Sequence, residues 1–446
     1  MLGPCFNLRP FFVCRTICLF VCFVSAFGAH AQQNKETDGR IQFLQTRVAA
    51  DPDSYMNYNR LASAYLQKAR ESGDLTYYDL AEQAVHKSLE LESSHAEAAS
   101  TFDLLSTINF SKHNFKQAIE DAEKALNLDS QELGAAVSAG DACVEMGDYE
   151  KARKYYSALD TLRHSQRPSV LYLKLTRQAG FALALANLQE AVLPLQEAVE
   201  ISTRTHLPAE NVAWTHFTLG ETYVQLGNFI NAEKAFNASL ESFPGYHRAY
   251  AGMAQLRTAQ KRYNEAIGFY QKAISVIPLP VYAAALGDVY SKVGKTREAE
   301  QQYKLVEYIA ALSVLSKNVY NRELATFYAD HDRNLPAALE LARRELEVRH
   351  NLYTQDALAW VLFKNGKTEE AINTIQSFED SKLQDPVVLY HLGMIYRGAG
   401  DEQRSRDYLR RALVINPEFH IFYADCARQL LKPPDTPKSE GAKHAQ

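Results

Sequence analysis

A pattern of small residues repeated about every 34 positions constrains the fold of this 446-residue chain more than any other feature. In ten similar segments a small residue follows an apolar one. The small residues are Ala62, Ser106, Gly140, Ala179, Gly220, Ala254, Gly287, Ala325, Ala359 and Gly393. Such a period predicts stacked supersecondary units, each of which buries its apolar face only against its neighbours.

Composition indicates that these units are helical. Fifteen Pro and 20 Gly are few for this length, while 25 Tyr and 21 Phe are available for packing between helices. The net charge of −5 and the pI near 6.3 argue against a nucleic-acid-binding protein, because such proteins normally carry a basic excess.

The best-preserved segments resemble the tetratricopeptide repeat (TPR) family, whose unit follows the pattern W-x2-L-G-x2-Y…A-x3-F…P. The fifth segment keeps the most positions, which are Leu219, Gly220, Tyr223, Ala232, Phe236 and Pro244. The seventh and tenth segments keep the pattern around Leu286-Gly287 and Leu392-Gly393. The resemblance implies an all-α, right-handed solenoid of about ten helix-turn-helix units. It also implies a concave groove that binds protein or peptide segments, and no cofactor.

The repeats divide the chain into five parts. We expect a signal peptide in residues 1–31, a capping helix in 32–52, the repeat array in 53–417, a second capping helix in 418–431 and a disordered tail in 432–446. The first unit carries extra residues around 71–78, which lengthen its turn, and the fourth unit, near 170–203, lacks the glycine turn and the aromatic residues. The sequence therefore does not fix the boundaries of these two units.

The N-terminus has the parts of an export signal. Arg9 and Arg15 precede an apolar stretch at 16–27, and a small-x-small site ends at Ala31. Removing residues 1–31 lowers the net charge to −7 and leaves two of the six cysteines, Cys143 and Cys426. Two distant cysteines form neither a disulfide framework nor a metal site. The mature protein is therefore expected to be exported, periplasmic or secreted, without membrane insertion. An uncleaved N-terminal anchor is the alternative.

Little chain remains for a catalytic domain outside the repeats, and the mature region contains no phosphate-binding, zinc-protease, nucleophile-elbow or paired C-x-x-C motif. Asp330-His331-Asp332 is the cluster that most resembles a catalytic site. Three consecutive residues on a helix point in different directions, so a polar turn is the better interpretation. The chain is predicted not to be an enzyme, although a site of unrecognised type within the array remains the alternative.

The expected binding site is the concave groove. In the family, fixed positions of the first helix of each unit face this groove, and counting from each Leu-Gly pair transfers them to this chain. The candidates are Trp214, Phe217, Glu221, Asp141, Arg322, Trp360, Phe363, Lys364, Tyr390 and Arg397. The aromatic candidates could instead pack between units, which is the usual role of aromatics at helical spacing.

Charge at the groove positions is uneven. Units 1–5 contribute Asp103, Asp141, Glu145 and Glu221 and no base, whereas units 6–10 contribute bases and acids together. We therefore expect an acidic N-terminal half that accepts a basic stretch of a partner. The sequence as a whole predicts an exported, non-catalytic scaffold in a cell-envelope assembly, with the partner and the oligomeric state undefined.

The export signal gives the first testable prediction. If signal peptidase recognises the Ala29-His30-Ala31 site, the mature protein begins at Gln32. N-terminal sequencing of the protein purified from its native cells checks this. A chain that begins at or near Met1 would instead support the membrane-tethered alternative.

Overall fold

The computed structural model describes residues 36–161, 166–205, 207–315, 321–379 and 382–432. Within these ranges the chain forms 22 α-helices and one short 3-10 helix (Ala96–Ala98), and no β-strand. The expected signal peptide and almost all of the expected disordered tail lie outside the described residues.

Twenty helices form ten successive pairs, and each pair is one unit with a first helix A and a second helix B. The A helices are α2 (Tyr55–Ser72), α4 (Ala99–Ser111), α6 (Leu133–Glu145), α8 (Pro168–Ala184), α10 (Ala209–Gln225), α12 (His247–Ala259), α14 (Pro280–Lys292), α16 (Asn321–Asp330), α18 (Leu352–Lys364) and α20 (Pro386–Gly398). The B helices are α3 (Thr76–Leu91), α5 (Phe115–Leu128), α7 (Tyr149–Ala158), α9 (Leu188–Arg204), α11 (Phe229–Ser242), α13 (Tyr263–Val276), α15 (Thr296–Leu315), α17 (Leu335–Val348), α19 (Thr368–Ile375) and α21 (Glu402–Ile415). The predicted all-α solenoid is confirmed.

One further helix lies at each end of the described array. Helix α1 (residues 36–50) buries Ile41 and Leu44 against Leu61 and Tyr65 of unit 1. Helix α22 (Tyr423–Leu431) packs against unit 10. Both helices cover apolar surface that a terminal unit would otherwise expose.

A small residue on helix A and a large one on helix B of the same unit set the distance between the two helices. A Cβ atom added at Gly220 would lie 2.6 Å from Cε1 of Phe236, and one added at Gly287 would lie 2.4 Å from Cε1 of Tyr303. Gly140 has the same relation to Tyr156. The ring of helix B therefore occupies the space that a larger residue on helix A would need. This packing is the physical reason for the small positions of the repeat.

The turns between helices A and B share one backbone feature. Each unit has a residue with positive φ in this turn, and the ten residues are Gly73, His113, Gly147, Ala186, Gly227, Lys261, Gly294, Asp332, Gly366 and Gly400. Glycine adopts this conformation without strain, whereas other residues incur a cost. In the fourth unit Ala186 takes the position at φ 55°, so the unit keeps the turn although it lacks the glycine.

The superhelix is tight enough that successive turns touch each other. In unit 3, Glu145 O accepts a hydrogen bond from the amide of His350 (3.1 Å), which follows unit 8. In unit 4, Ala186 O accepts one from the amide of Gln384 (2.8 Å), which follows unit 9. In unit 5, Val224 O accepts one from Nδ2 of Asn416 (2.8 Å), which follows unit 10.

These contacts share one offset. The end of helix A or the A–B turn of a unit meets the loop that follows the unit five places further on. Gly73 of unit 1 and Ile277, after unit 6, follow the same rule. The solenoid therefore completes a turn in between five and six units. We call the line of contacts through Glu145–His350, Ala186–Gln384 and Val224–Asn416 the seam.

The thiol of Cys143 is fully buried in helix α6. Burial raises its pKa to about 11, so it is protonated at neutral pH. Cys426 is partly buried in α22, and both cysteines are free. Both side chains thus pack within helices of the array.

The close approach of helices A and B can be tested with two glycine substitutions. Gly220→Ala should lower the free energy of unfolding by about 1–3 kcal/mol, because the new methyl group overlaps the buried Phe236 ring. Gly180→Ala is the matched control. It lies inside helix α8 with nothing within 4 Å of its Cβ position, so it should stabilise the protein by about 0.5–1 kcal/mol through helix propensity. Denaturant unfolding measures both, and a stabilising Gly220→Ala would contradict this packing.

The seam predicts a specific pattern of amide exchange. The amide of Gln189 lies in the first turn of α9, where N–H groups have no partner within the helix. It donates a hydrogen bond of 2.8 Å to Oε1 of Gln384, which lies 195 residues further along the chain. Gln384→Ala should speed hydrogen exchange at Gln189 by about five- to tenfold, the effect of one hydrogen bond. Glu190, whose amide bonds to Asn187 within its own turn, should keep its rate. Equal rates at Gln189 in both proteins would mean that the seam does not form.

Candidate functional site: the concave groove

The concave groove is the inner surface formed by the A helices. The seam joins successive turns of the superhelix, so the contacts described above close the groove from the side. The residues that face it determine what the groove can bind, and they fall into an N-terminal, a central and a C-terminal group.

In the N-terminal group, Asp141 is already paired. Nη2 of Arg177 lies 2.8 Å from its Oδ2, and the hydroxyl of Tyr156 donates to its Oδ1 (2.7 Å). Glu145 faces Nε of Arg349 at 3.1 Å and accepts a hydrogen bond from Asn351. Arg177 belongs to the atypical unit 4, and Arg349 comes from the next superhelical turn. The N-terminal half is therefore less acidic than the counted positions indicate.

Asp103, another acid of this half, is partly buried. Its carboxylate lies where a side chain at position 134 would be, since a Cβ on Gly134 would fall 1.9 Å from its Oδ2. Its Oδ1 is buried without a hydrogen-bond partner. Burial, together with the charge of Glu132, raises its pKa to about 7, so much of the group is neutral at physiological pH.

The central group contains two charged side chains without a direct partner. Glu221 of α10 and Arg248 of α12 form no hydrogen bond or ion pair with any residue that the structure describes. Burial raises the pKa of Glu221 to about 7, while the positive charge of Arg248 acts in the opposite direction. The neighbouring His247 already has a hydrogen-bond partner, since its Nδ1 lies 2.8 Å from the Tyr282 hydroxyl. Glu221 and Arg248 thus have no hydrogen bond or ion pair among the described residues, although their opposite charges act on each other.

The two aromatic candidates of unit 5 differ in exposure. Phe217 is buried against the Phe236 and Tyr246 rings, at centroid distances of 6.1 and 6.2 Å. Trp214 is partly buried and packs at the edge of the same cluster. Phe217 therefore serves the core, and Trp214 retains some accessible surface.

The C-terminal group is a packed aromatic cluster around one carboxylate. Nε1 of Trp360 donates to Oδ1 of Asp330 at 2.7 Å, and the Tyr423 hydroxyl donates to the same oxygen. The ring of His391 stacks on Trp360, with 4.3 Å between the ring centroids and 12° between the ring planes. Tyr390 stacks on Tyr423 in the same way, with 4.3 Å between the centroids and 11° between the planes. Trp360 and Tyr390 are both almost fully buried.

A charge pair lies within this cluster. Nδ1 of His391 is 3.0 Å from Oδ2 of Asp356, and its Nε2 is buried without a hydrogen-bond partner. Burial opposes a charge on His391, but the facing Asp356 carboxylate outweighs it and raises the pKa of the imidazole. Asp330-His331-Asp332 spans the end of α16 and its turn, where His331 contacts Asp288 at 2.7 Å. The predicted polar turn is therefore what the structure contains.

The remaining candidates make local contacts. Arg322 pairs with Glu323 at 3.3 Å, Lys364 with Asp332 at 2.6 Å, and the exposed Arg397 with Glu402 at 3.0 Å. Phe363 stacks on Trp360 and lies against Gly398. Whether any of the ten candidates binds a partner stays a prediction.

The residues that reach the groove from the C-terminal end were not predicted from the sequence. Asn416, Glu418, Phe422, Tyr423 and Asp425 follow the last unit and contact units 5–10. Their spacing carried no repeat signal, although the cluster of aromatic residues at 419–423 is visible in the sequence.

Metal sites, membrane-spanning helices and cavities are the remaining features of interest in the described part of the chain. No group of three or more His, Cys, Asp or Glu side chains there could hold a metal ion. Within the same ranges, no helix is both long and apolar enough to cross a membrane. A cavity of about 600 Å³ lies along the seam between Tyr149, Phe181 and Phe378, and one of about 240 Å³ lies beside residues 416–425.

Comparison with known proteins identifies the repeat. Sequence models described as tetratricopeptide repeats match residues 134–163, 217–278 and 357–418, and one described as SHNi-TPR matches residues 99–131. A TPR repeat-containing protein of Methanocaldococcus jannaschii is 23% identical over 257 residues, which cover 55% of this chain and 43% of that protein. The alignment thus spans less than half the length of that relative.

Two solved structures that match this chain superpose on it with low overall scores. The structure of Pseudomonas aeruginosa pilF is 22% identical, with a TM-score of 0.38 over 48% of this chain and 92% of that chain. A second is the Cut9 and Hcn1 hetero-tetramer of APC/C, with 14% identity and a TM-score of 0.32 over 91% of this chain and 95% of that chain. From the repeat matches and the ten helix pairs we conclude that this chain is a tetratricopeptide-repeat protein.

Proposed function

We propose that this protein is an exported, non-catalytic scaffold that binds segments of partner proteins along its concave groove, within a cell-envelope assembly. The TPR fold is typical of protein-binding adaptors. The expectation of export comes from the charged, apolar and small-x-small parts of residues 1–31. The absence of recognisable catalytic motifs in the mature sequence supports a non-catalytic role.

The observation that carries the proposal is the unpaired state of Glu221 and Arg248. Most charged candidates of the groove have an internal partner, whereas these two form no hydrogen bond or ion pair with a described residue. Glu221 is partly buried, and its burial disfavours the charged form, whereas Arg248 is exposed. A ligand that supplies the opposite charge to each side chain would stabilise both. A segment with a basic and an acidic side chain in suitable spacing would satisfy both.

Neutral substitutions test this proposal. In Glu221→Gln with Arg248→Gln, both charges are lost while both side chains stay polar, so recovery of a cross-linked partner from the native envelope should fall at least tenfold. The variant should fold, because neither side chain contributes a hydrogen bond or ion pair to the described array.

The matched control is Glu340→Gln with Arg344→Gln. These two residues form an exposed pair on the outer helix α17, and the control removes the same two charges without touching the groove. Equal partner recovery from the two variants would show that Glu221 and Arg248 do not bind the partner.

A further inference from the structure

The chain between the last unit and α22 is longer than the loops that join units 5, 6 and 7, which it faces. Residues 416–422 separate α21 from α22 by seven positions, whereas four residues separate α11 from α12 and three separate α13 from α14. We call residues 416–425, which comprise this loop and the first turn of α22, the C-terminal segment. Tyr423 of this segment contacts Asp330 and Tyr390, which lie at predicted groove positions, whereas Asn416 at its start lies on the seam.

Polar contacts fix the C-terminal segment to units 5, 6 and 7. Nδ2 of Asn416 donates to the carbonyl of Val224 at 2.8 Å. Glu418 pairs with Lys261 at 3.0 Å, and Asp425 pairs with Lys292 at 2.7 Å. Each of these three residues thus reaches a different unit. A partner segment lying across these units would make the same kind of contacts.

Aromatic contacts extend the segment over units 7–10. The Phe422 ring lies 5.7 Å from Nζ of Lys292, a cation–π distance. The Tyr423 ring stacks on Tyr390 of unit 10, and its hydroxyl donates to Asp330 of unit 8. The segment therefore engages candidate groove residues that the sequence assigned to partner binding.

The fit of the segment is incomplete. A cavity of about 240 Å³ separates it from units 5–7 and is lined by Gln225, Gln255, Tyr270, Asp288 and Lys292 among others. Its two ion pairs are partly open to solvent, since the side chains of Lys261 and Asp425 are 58% and 48% exposed. Exposed ion pairs stabilise weakly. A ligand that also filled the cavity could replace the segment.

We propose that the groove of units 5–10 binds a helix-forming partner segment with paired aromatic and acidic side chains, and that the C-terminal segment occupies this site in the free protein. The partner displaces it. This inference rests on the proposed function, because it names the partner chemistry for the same groove. The chemistry follows from the occupant: two adjacent aromatic residues, then an acid two positions after the second, as in Phe422-Tyr423-Ala424-Asp425.

The test uses a fluorescent synthetic peptide of residues 416–432 and the full mature chain. In the chain, Tyr423→Phe with Asp425→Asn removes the hydrogen bond to Asp330 and the ion pair to Lys292 while keeping the shape of the segment. Because the internal competitor is weakened, the peptide should bind this variant at least tenfold more tightly than it binds the wild type, as measured by fluorescence anisotropy.

Three controls define the site. Asp407→Asn removes a charge from the exposed face of α21 and should leave peptide affinity at the wild-type value. Adding Lys292→Gln to the weakened variant should remove most of the gain, because the acid of the peptide loses its partner. A peptide with Tyr423→Ala and Asp425→Asn should bind neither protein.

Hydrogen exchange makes a negative result informative. Amides of 423–431 should exchange about tenfold faster in the Tyr423→Phe, Asp425→Asn variant, with the rest of the array unchanged. Faster exchange without tighter peptide binding would overturn the proposal, as would binding that ignores Lys292→Gln. Peptide binding that meets these expectations, together with unchanged partner recovery in the Glu221 and Arg248 variant, would refute the role of those two charges and leave the present inference intact.

Discussion

The structure depends on the packing of one large side chain of helix B onto a small residue of helix A. This contact recurs at Gly140–Tyr156, Gly220–Phe236 and Gly287–Tyr303, always at the same spacing along the chain. It sets how closely the helices of a unit approach, and hence the angle that each unit adds to the superhelix. Because the contact is repeated along the chain, the small angles between successive units add up to the curvature of the whole superhelix.

The curvature brings distant parts of the chain together. Successive turns meet along the seam, where segments of well-separated units exchange backbone hydrogen bonds. A solenoid usually has contacts only between neighbouring repeats. In this chain the seam adds long-range contacts, so opening the groove sideways requires breaking bonds such as Ala186–Gln384. A ligand would therefore meet an enclosed groove rather than an open concave face.

Enclosure also explains the electrostatics of the groove. The carboxyls of Asp103 and Glu221 both have pKa values raised to about 7 by burial, although both lie at positions that the repeat pattern predicts to face a groove. Paired groups such as Asp141–Arg177 stabilise the array, whereas Glu221 and Arg248 contribute no hydrogen bond or ion pair within the described chain. The C-terminal segment covers much of the remaining surface through Tyr423 and Asp425.

The repeat pattern was enough to predict the architecture, because the packing of helix A on helix B is local. The spacing of small, aromatic and turn-forming residues sufficed to predict ten helix pairs and the polar turn at His331. It also predicted positions such as Glu221 as groove candidates. The boundaries of unit 4 were not fixed, because Ala186 forms its turn without the glycine that marks most of the others. Which groove residues are free, in contrast, follows from the three-dimensional arrangement alone. Arg177 neutralises Asp141, Arg349 reaches Glu145 from the next superhelical turn, and Tyr423 covers Tyr390. These partners come from different units, and nothing in the repeat period encodes their meeting. They meet because small angles accumulate over five to six units. The repeat pattern specifies each angle only approximately, whereas the contacts across the seam depend on their sum.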